Sequence, residues 1–302
     1  MSGATCFGYA VRSELALEYV RAGDGPALDV AVGADGAARP GDRLLLEWLP
    51  TELHPQFHAR LYADERRYRL WTSGTGSGWF VVDPDGPSIT VPETAGPVRR
   101  EERLWGLPAL LCVLHRGDLP LHAAAIEVGG EALLLAAPSA FGKTTLVAAA
   151  LAAGYRHLAE DLSCVRLGAG RPTVVPGPAM LRLRPDVAAA LDVPKTTRLD
   201  ESDGRVHLAI DPAARGDSTP VPIRALVLLQ PTEGRPLLAD VDPRAALRDL
   251  WALAFRLPSE EDRSRCFHEL GELAARVRLR RLAYPARIES LPETVELLAR
   301  RA

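Results

Sequence analysis

The sequence predicts an α/β protein in two parts: a small β-rich domain over residues 1–104, then a mixed-sheet domain over residues 105–302 built around a phosphate-binding loop. Three observations carry this. An apolar run, Leu133-Leu134-Leu135, feeds into Ala136-Ala137-Pro138-Ser139-Ala140-Phe141-Gly142-Lys143-Thr144-Thr145, and an alanine-rich helical stretch, residues 146–153, leaves it. The first 104 residues hold short apolar or alternating runs punctuated by Gly and Pro. From residue 121 onward, strand-like runs are interleaved with longer helical patterns.

At 302 residues and 47% hydrophobic content, the chain is long enough for one large domain or two modest ones with a real core. A net charge of -3 and a pI near 6.2 give no global field for nucleic acid, which is set aside as a partner; the basic stretch 276–281 reads as a solvated face. Cys6, Cys112, Cys164 and Cys266 are scattered without a C-x-x-C pair, so buried thiols are expected rather than a zinc site or a disulfide framework. There is no apolar run of about 18 residues and no basic N-terminal region followed by an apolar stretch, so no membrane partner and a cytoplasmic location are the expectations.

Within the first part, residues 7–11, 27–32, 43–48, 68–72, 79–82 and 88–91 read as strands. Asp83-Pro84-Asp85-Gly86 has turn chemistry, which makes 78–91 a hairpin. His54 and His58 share a helical face, but Pro55 spoils that helix and no third ligand is near, which argues against metal. The charged stretch 99–103 then gives way to an apolar helix over 104–114, started by Pro108 and ended at Arg116-Gly117-Asp118. The domain boundary is placed just before that helix.

Two strand-like runs, 121–128 and 131–137, flank Gly129-Gly130, a two-residue hairpin signal. Pairing Val128 with Glu131 carries the register back to His122 opposite Ala137, with Cβ atoms about 5 Å apart on one face. His122 then borders the loop, or else is a rim histidine with a backbone partner.

Pro138, Ser139, Ala140, Phe141, Gly142, Lys143, Thr144 and Thr145 are the phosphate-binding residues of this reading. Such a loop turns backbone NH groups toward one point, the helix N-terminus adds partial positive charge, the lysine reaches the outer phosphates and a hydroxyl can ligate magnesium. The pattern G-x-x-x-x-G-K-[ST] wants glycine at Ala137; alanine prefers negative φ, so the loop enters without a left-handed residue there.

A helix over 144–153 stops at Gly154, and a strand over 155–159 leads into Glu160 and Asp161. Where parallel strands end together the ligand crevice forms, so this pair belongs beside the loop. Two carboxylates there suit phosphoryl transfer to a hydroxyl: one oxygen ligand for magnesium and one acceptor for the nucleophile's proton. The alternative is a solvated acidic turn.

Further strands are expected at 173–175, 180–183, 206–210, 223–229 and 278–284, with a corner at Pro176-Gly177-Pro178. Residues 192–204, polar and weakly patterned, read as a mobile loop able to close over substrate. Arg182 and Arg184 share a face, for phosphate or acidic substrate or for structural ion pairs. Helices over 243–255, 259–277 and 291–302 finish the chain, the second with a capped acidic first turn from Ser259.

Taken together, Leu121-His122-Ala123-Ala124-Ala125, the loop, and Leu158-Ala159-Glu160-Asp161 resemble the HPr kinase family and, more closely, its relatives found with lasso-peptide and other natural-product genes. The likeness extends upstream to Tyr9-Ala10-Val11-Arg12-Ser13-Glu14-Leu15 and downstream to Val175-Pro176-Gly177-Pro178. Phosphoenolpyruvate carboxykinases share a similar arrangement, in which the matching histidine and an acid are metal ligands. The resemblance implies a P-loop (phosphoenolpyruvate carboxykinase/HPr kinase-like) fold. It also implies an ATP-dependent kinase, with ATP and Mg2+ as cofactors, acting on a serine-type hydroxyl of a peptide or small protein. By it, Lys143 binds the β- and γ-phosphates, Thr144 and Asp161 hold magnesium, Glu160 accepts the hydroxyl proton, and His122 contacts the metal or stands behind its ligands. HPr kinases assemble as oligomers, which leaves a homo-oligomer open. The family usually has Asp-Asp in place of Glu160-Asp161 and glycine in place of Ala137 and Ala140, so the division of roles between the two acids stays open. A nucleotide-binding regulatory module without chemistry and a small-metabolite kinase are the competing readings.

Overall fold

Period-two burial builds the first sheet of the computed structural model, which describes residues 3–302 apart from 35, 53, 54, 56, 75 and 95; the His54 reading therefore lies outside the described residues. Its strands are β1 (Gly3–Cys6), β2 (Tyr9–Ser13), β3 (Arg21–Gly23), β4 (Ala27–Val32), β5 (Arg43–Trp48), β6 (Ala59–Ala63), β7 (Tyr68–Thr72), β8 (Gly78–Asp83) and β9 (Ser88–Val91). Among the described residues they run in the order β3-β1-β2-β4-β9-β8-β7-β6-β5. Phe80 and Val82 point into the core while Trp79 and Val81 stay half-buried, so one face is apolar and the other is not. β8 and β9 form the expected hairpin.

Two helices follow, α1 (Pro97–Leu104) and α2 (Leu107–His115). Leu104, Trp105, Ala109 and Val113 cover the buried face of that sheet, sharing one core with its Leu61, Leu70 and Phe80. The sequence reading ran one helix over 104–114; Trp105 and Gly106 break it from α1, whose charged residues Arg99, Glu101 and Glu102 are buried.

The remaining elements are β10 (Leu119–Leu121), β11 (Ala123–Val128), β12 (Glu131–Ala136), α3 (Lys143–Ala152), β13 (Arg156–Ala159), β14 (Ser163–Arg166), β15 (Thr173–Val175) and β16 (Met180–Leu183). Then come α4 (Pro185–Ala190), β17 (Thr196–Ser202), β18 (Arg205–Ile210), α5 (Pro212–Arg215), β19 (Val221–Thr232), β20 (Leu237–Asp240), α6 (Pro243–Leu253), α7 (Glu260–Arg276), β21 (Arg278–Pro285) and α8 (Leu291–Arg301). The protein is thus α/β with mixed sheets.

In the second sheet, ordered β10-β14-β15-β19-β12-β11-β13 with β21 and β20 off β19, strands β12, β19 and β21 are parallel. β11 runs against both β12 and β13, so β13 points the same way as β12. Alternate residues of β12 face opposite layers. Leu133 and Leu135 pack with Leu146 and Val147 of α3 and Val295 and Leu298 of α8. Ala132, Leu134 and Ala136 pack with Leu250 of α6 and Leu270 of α7. Each such buried leucine contributes about 2 kcal/mol, and burial on both faces explains the unbroken apolar run.

Gly129 and Gly130 turn β11 into β12 with φ of 61° and 83°, the left-handed pair a two-residue hairpin requires. The register is the expected one, from Val128 opposite Glu131 to Ala123 opposite Ala136. The run 121–128 is nevertheless two strands: Leu121 belongs to β10, which pairs with β14, and the His122 backbone NH donates to the Leu253 carbonyl at 2.7 Å. Residues 192–204 are not the loop expected there. β17 occupies most of that stretch, in a three-stranded sheet ordered β16-β18-β17. Its half-exposed, charged pattern hid it. Ser259 caps α7 as expected, accepting from the Asp262 NH.

Candidate active site

Three neighbouring strands meet at one edge of the second sheet. β12 ends at Ala136 and runs into the loop, β13 ends at Ala159 and runs into Glu160-Asp161, and β11, lying between them in the opposite direction, begins just after His122. The group just before the middle strand and the groups just after its two neighbours therefore lie at the same end of the sheet.

The loop, residues 137–142, enters α3 through Gly142, the N-cap, at φ 83°. Ala140 is also left-handed, at φ 68°, whereas Ala137 is not. Gly142 is required: a Cβ there would lie 2.4 Å from the Tyr284 hydroxyl, which donates to the Phe141 carbonyl at 2.6 Å. Pro138 and Ala140 are exposed, while Ser139, Phe141, Thr144 and Thr145 are half-buried.

Lys143, only 5% exposed, folds across the loop and donates from Nζ to the carbonyls of Ala137 (2.9 Å) and Pro138 (3.3 Å). The same Nζ lies 2.9 Å from His122 Nε2 and 3.7 Å from Asp161 Oδ1. His122 Nε2 is also 3.0 Å from Asp161 Oδ1. A single nitrogen cannot serve both at once: protonated it donates to Asp161, deprotonated it accepts from Lys143. At the second residue of α3, the Thr144 hydroxyl donates to Glu160 Oε1 at 2.8 Å. The structure therefore brings together His122, Lys143, Thr144, Glu160 and Asp161, and pairs Thr144 with Glu160 rather than with Asp161.

Arg182 of β16 completes the cluster. Its Nε donates to Glu160 Oε2 at 3.0 Å and one terminal nitrogen to Asp161 Oδ2 at 3.3 Å. The other terminal nitrogen donates to Glu102 Oε1 of α1 at 2.7 Å. Arg184, two residues on, is exposed and pairs with the exposed Asp186. The strand alternation expected to put both arginines on one face does not extend to Arg184, which lies past the end of β16 as the N-cap of α4.

The two acids differ in environment. Glu160 is 3% exposed, and burial pushes its carboxyl up, with only partial relief from Arg182. Asp161 is 37% exposed on its side chain. Burial opposes its ionisation too, but the His122 hydrogen bond and the charges of Arg182 and Lys143 outweigh it and hold the carboxyl far below the usual range. Burial lowers the Lys143 ammonium, against the pull of Asp161 and Glu160.

Among the described residues, no group of three or more His, Cys, Asp or Glu side chains is arranged to hold a metal ion. Magnesium does not need one: it is commonly bound by one or two protein oxygens together with phosphate oxygens and waters. The Thr144 hydroxyl and the Glu160 carboxylate, in mutual contact at the loop's mouth, fit that donor set. His122 Nε2 fits it less well, since the Lys143 ammonium faces that nitrogen. Arg182 was left open between two roles by its sequence pattern, and Glu102 and Tyr284 carried no signal at all: their partners lie 80 and 143 residues away.

The four cysteines are free and buried, and among the described residues no helix is long and apolar enough to cross a membrane. No protein-family model matches the chain, and no curated protein matches it. Among solved structures it is similar to the HPr(Ser) kinase/phosphatase from Coxiella burnetii, at 11% identity and a TM-score of 0.34 over 60% of this chain and 95% of that one.

Proposed function

We propose that the protein is an ATP-dependent kinase that transfers the γ-phosphoryl group to a serine-type hydroxyl of a peptide or small protein, in a reduced cytoplasmic setting and within a natural-product pathway of the lasso-peptide kind. One observation carries this reading: the loop's lysine and threonine each meet one member of the acidic pair, Lys143 Nζ at 3.7 Å from Asp161 and Thr144 Oγ1 at 2.8 Å from Glu160.

The roles follow from exposure and contact. Lys143 and the left-handed loop backbone hold the β- and γ-phosphates. Thr144 and Glu160 would hold a magnesium ion through their oxygens, and such an ion would supply positive charge beside those phosphates. Glu160 has no exposed face for an incoming hydroxyl, whereas Asp161 has one. Asp161 therefore accepts the hydroxyl proton as the oxygen attacks phosphorus and the bond to the β-phosphate oxygen breaks, releasing ADP. This allocation exchanges the roles that the family resemblance assigns to the two acids. An acceptor so acidic is a weak base, which suits a transfer whose catalysis is mainly positioning and electrostatics. His122 holds Asp161 in place and can relay the proton outward.

The test is γ-labelled ATP incubated with the protein and with peptides encoded beside its gene, followed by mass spectrometry. Label on a peptide hydroxyl, lost in Lys143→Ala with the fold intact, is the expected result. Nucleotide binding without transfer to any acceptor would replace the proposal with a regulatory module, and transfer to a small metabolite alone would replace the acceptor class.

A further inference from the structure

The N-terminal part reaches the site through a chain of buried charges. Glu102 of α1, 7% exposed, accepts from Arg182 at 2.7 Å through Oε1 and from Arg99 through Oε2, and His207 Nδ1 stands 3.3 Å from Oε2. Arg99 in turn pairs with Asp203 at the tip of the β17–β18 hairpin. Arg182 is thus divided: two nitrogens face Glu160 and Asp161, and the third faces Glu102. Rotating the guanidinium to improve one contact breaks the others, because its donors form a rigid planar fork.

The helix that carries Glu102 is itself anchored. Glu101 accepts from the backbone NH groups of Glu18 (2.7 Å) and Tyr19 (2.9 Å) and from Trp105 Nε1 (3.0 Å). The Tyr19 carbonyl accepts from the Ala179 NH at 2.7 Å, one residue before β16, which bears Arg182. A closed circuit results: α1, the 18–19 segment, β16, Arg182 and back to α1. Behind the acids, Arg21 of β3 is buried, and among the described residues it makes no ion pair. It donates to the Gly177 carbonyl at 2.8 Å, to the Leu158 carbonyl at 3.1 Å and to the Arg215 carbonyl, and its other contact is His157 Nδ1 at 2.9 Å. Leu158 is two residues before Glu160.

We propose that Glu102 is a positioning residue of the active site, acting through Arg182 to fix Glu160 and Asp161, so that residues 18–21 and α1 form part of the catalytic apparatus rather than an appended module. The kinetic half of this statement rests on the phosphoryl-transfer reading; the structural half does not. A merely structural Glu102 would brace α1 alone.

The full chain is compared with Glu102→Gln, Arg182→Gln and the double variant, with Glu102→Asp as the charge-retaining control should Glu102→Gln fold poorly. In nucleotide-free protein, hydrogen exchange in Glu102→Gln rises over residues 158–163, no further in the double variant than in Arg182→Gln, and is restored toward wild type in Glu102→Asp. A rise confined to residues 97–104, or additive effects, overturns the proposal. In turnover, Glu102→Gln lowers kcat by about tenfold or more, as loss of a partner that orients site residues does, while KM for ATP moves less than about twofold. Loss carried by KM instead overturns it. A wild-type protein that transfers phosphate to no acceptor refutes the kinase reading and leaves the exchange measurement to decide the positioning role.

Discussion

Replacing Gly142 by alanine tests the loop's geometry against a residue two strands away. Gly142 has φ 83°, and its added Cβ would stand 2.4 Å from the Tyr284 hydroxyl. Left-handed backbone costs a non-glycine residue about 1–2 kcal/mol. Tyr284 is buried, so its hydroxyl withdraws only by breaking the 2.6 Å bond to the Phe141 carbonyl, a further loss of about 1 kcal/mol. Gly142→Ala should therefore destabilise the protein by about 2–3 kcal/mol. Tyr284→Phe alone forfeits the same bond and costs about 1 kcal/mol. In the double variant the Cβ meets only the ring carbon Cζ, an ordinary contact at 3.6 Å. The bond is then lost once rather than twice, and the pair costs about 1 kcal/mol less than the sum of the single variants. Urea denaturation of the four proteins measures this cycle. Strict additivity would refute the steric link between Tyr284 and the loop.

Ala140→Gly should act in the opposite direction: it relieves an exposed left-handed alanine at φ 68°, and after the entropy gained by the unfolded chain the net is about 0.5–1 kcal/mol of added stability; a loss in the same denaturation assay counts against that backbone conformation. Asp161→Asn should abolish transfer while a fluorescent ATP analogue still binds, whereas Glu160→Gln should weaken the magnesium dependence of that binding; the reverse pattern would restore the family's allocation of the two acids. Burial pushes the Tyr284 phenol from 10.0 up to about 12. Because the folded value is the higher one, its contribution is complete below pH 10 and is lost as the pH rises toward about 12, a change of roughly 2–3 kcal/mol that Tyr284→Phe should remove from the alkaline stability profile.

Much of the site could be read from local chemistry. Gly129-Gly130 fixed the β11–β12 register, and the register put His122 beside the loop without any long-range information. Strands buried on one or both faces, such as β4, β8, β15 and β16, are legible because their period or apolar content is strong. β17 was read as a loop because a half-exposed strand rich in Thr, Arg, Asp and Glu lacks either signal. α1 reads as a charged stretch for a related reason: its buried Glu102 and Arg99 pair with Arg182 and Asp203, 80 and 104 residues distant. No window of sequence carries that information.

The contact between Tyr284 and Phe141 spans 143 positions of the chain, and it bears on the order of events during synthesis. Residues 137–145 leave the ribosome long before β21 does, so the emerging loop has no tyrosine to hold the Phe141 carbonyl and nothing packed against Gly142. Contacts of such sequence separation form late and are slow to close. A nascent chain halted before β21 should thus carry the whole loop sequence with the Phe141 carbonyl still unpinned, and the nucleotide proposed above can stabilise the fold only once β21 has emerged.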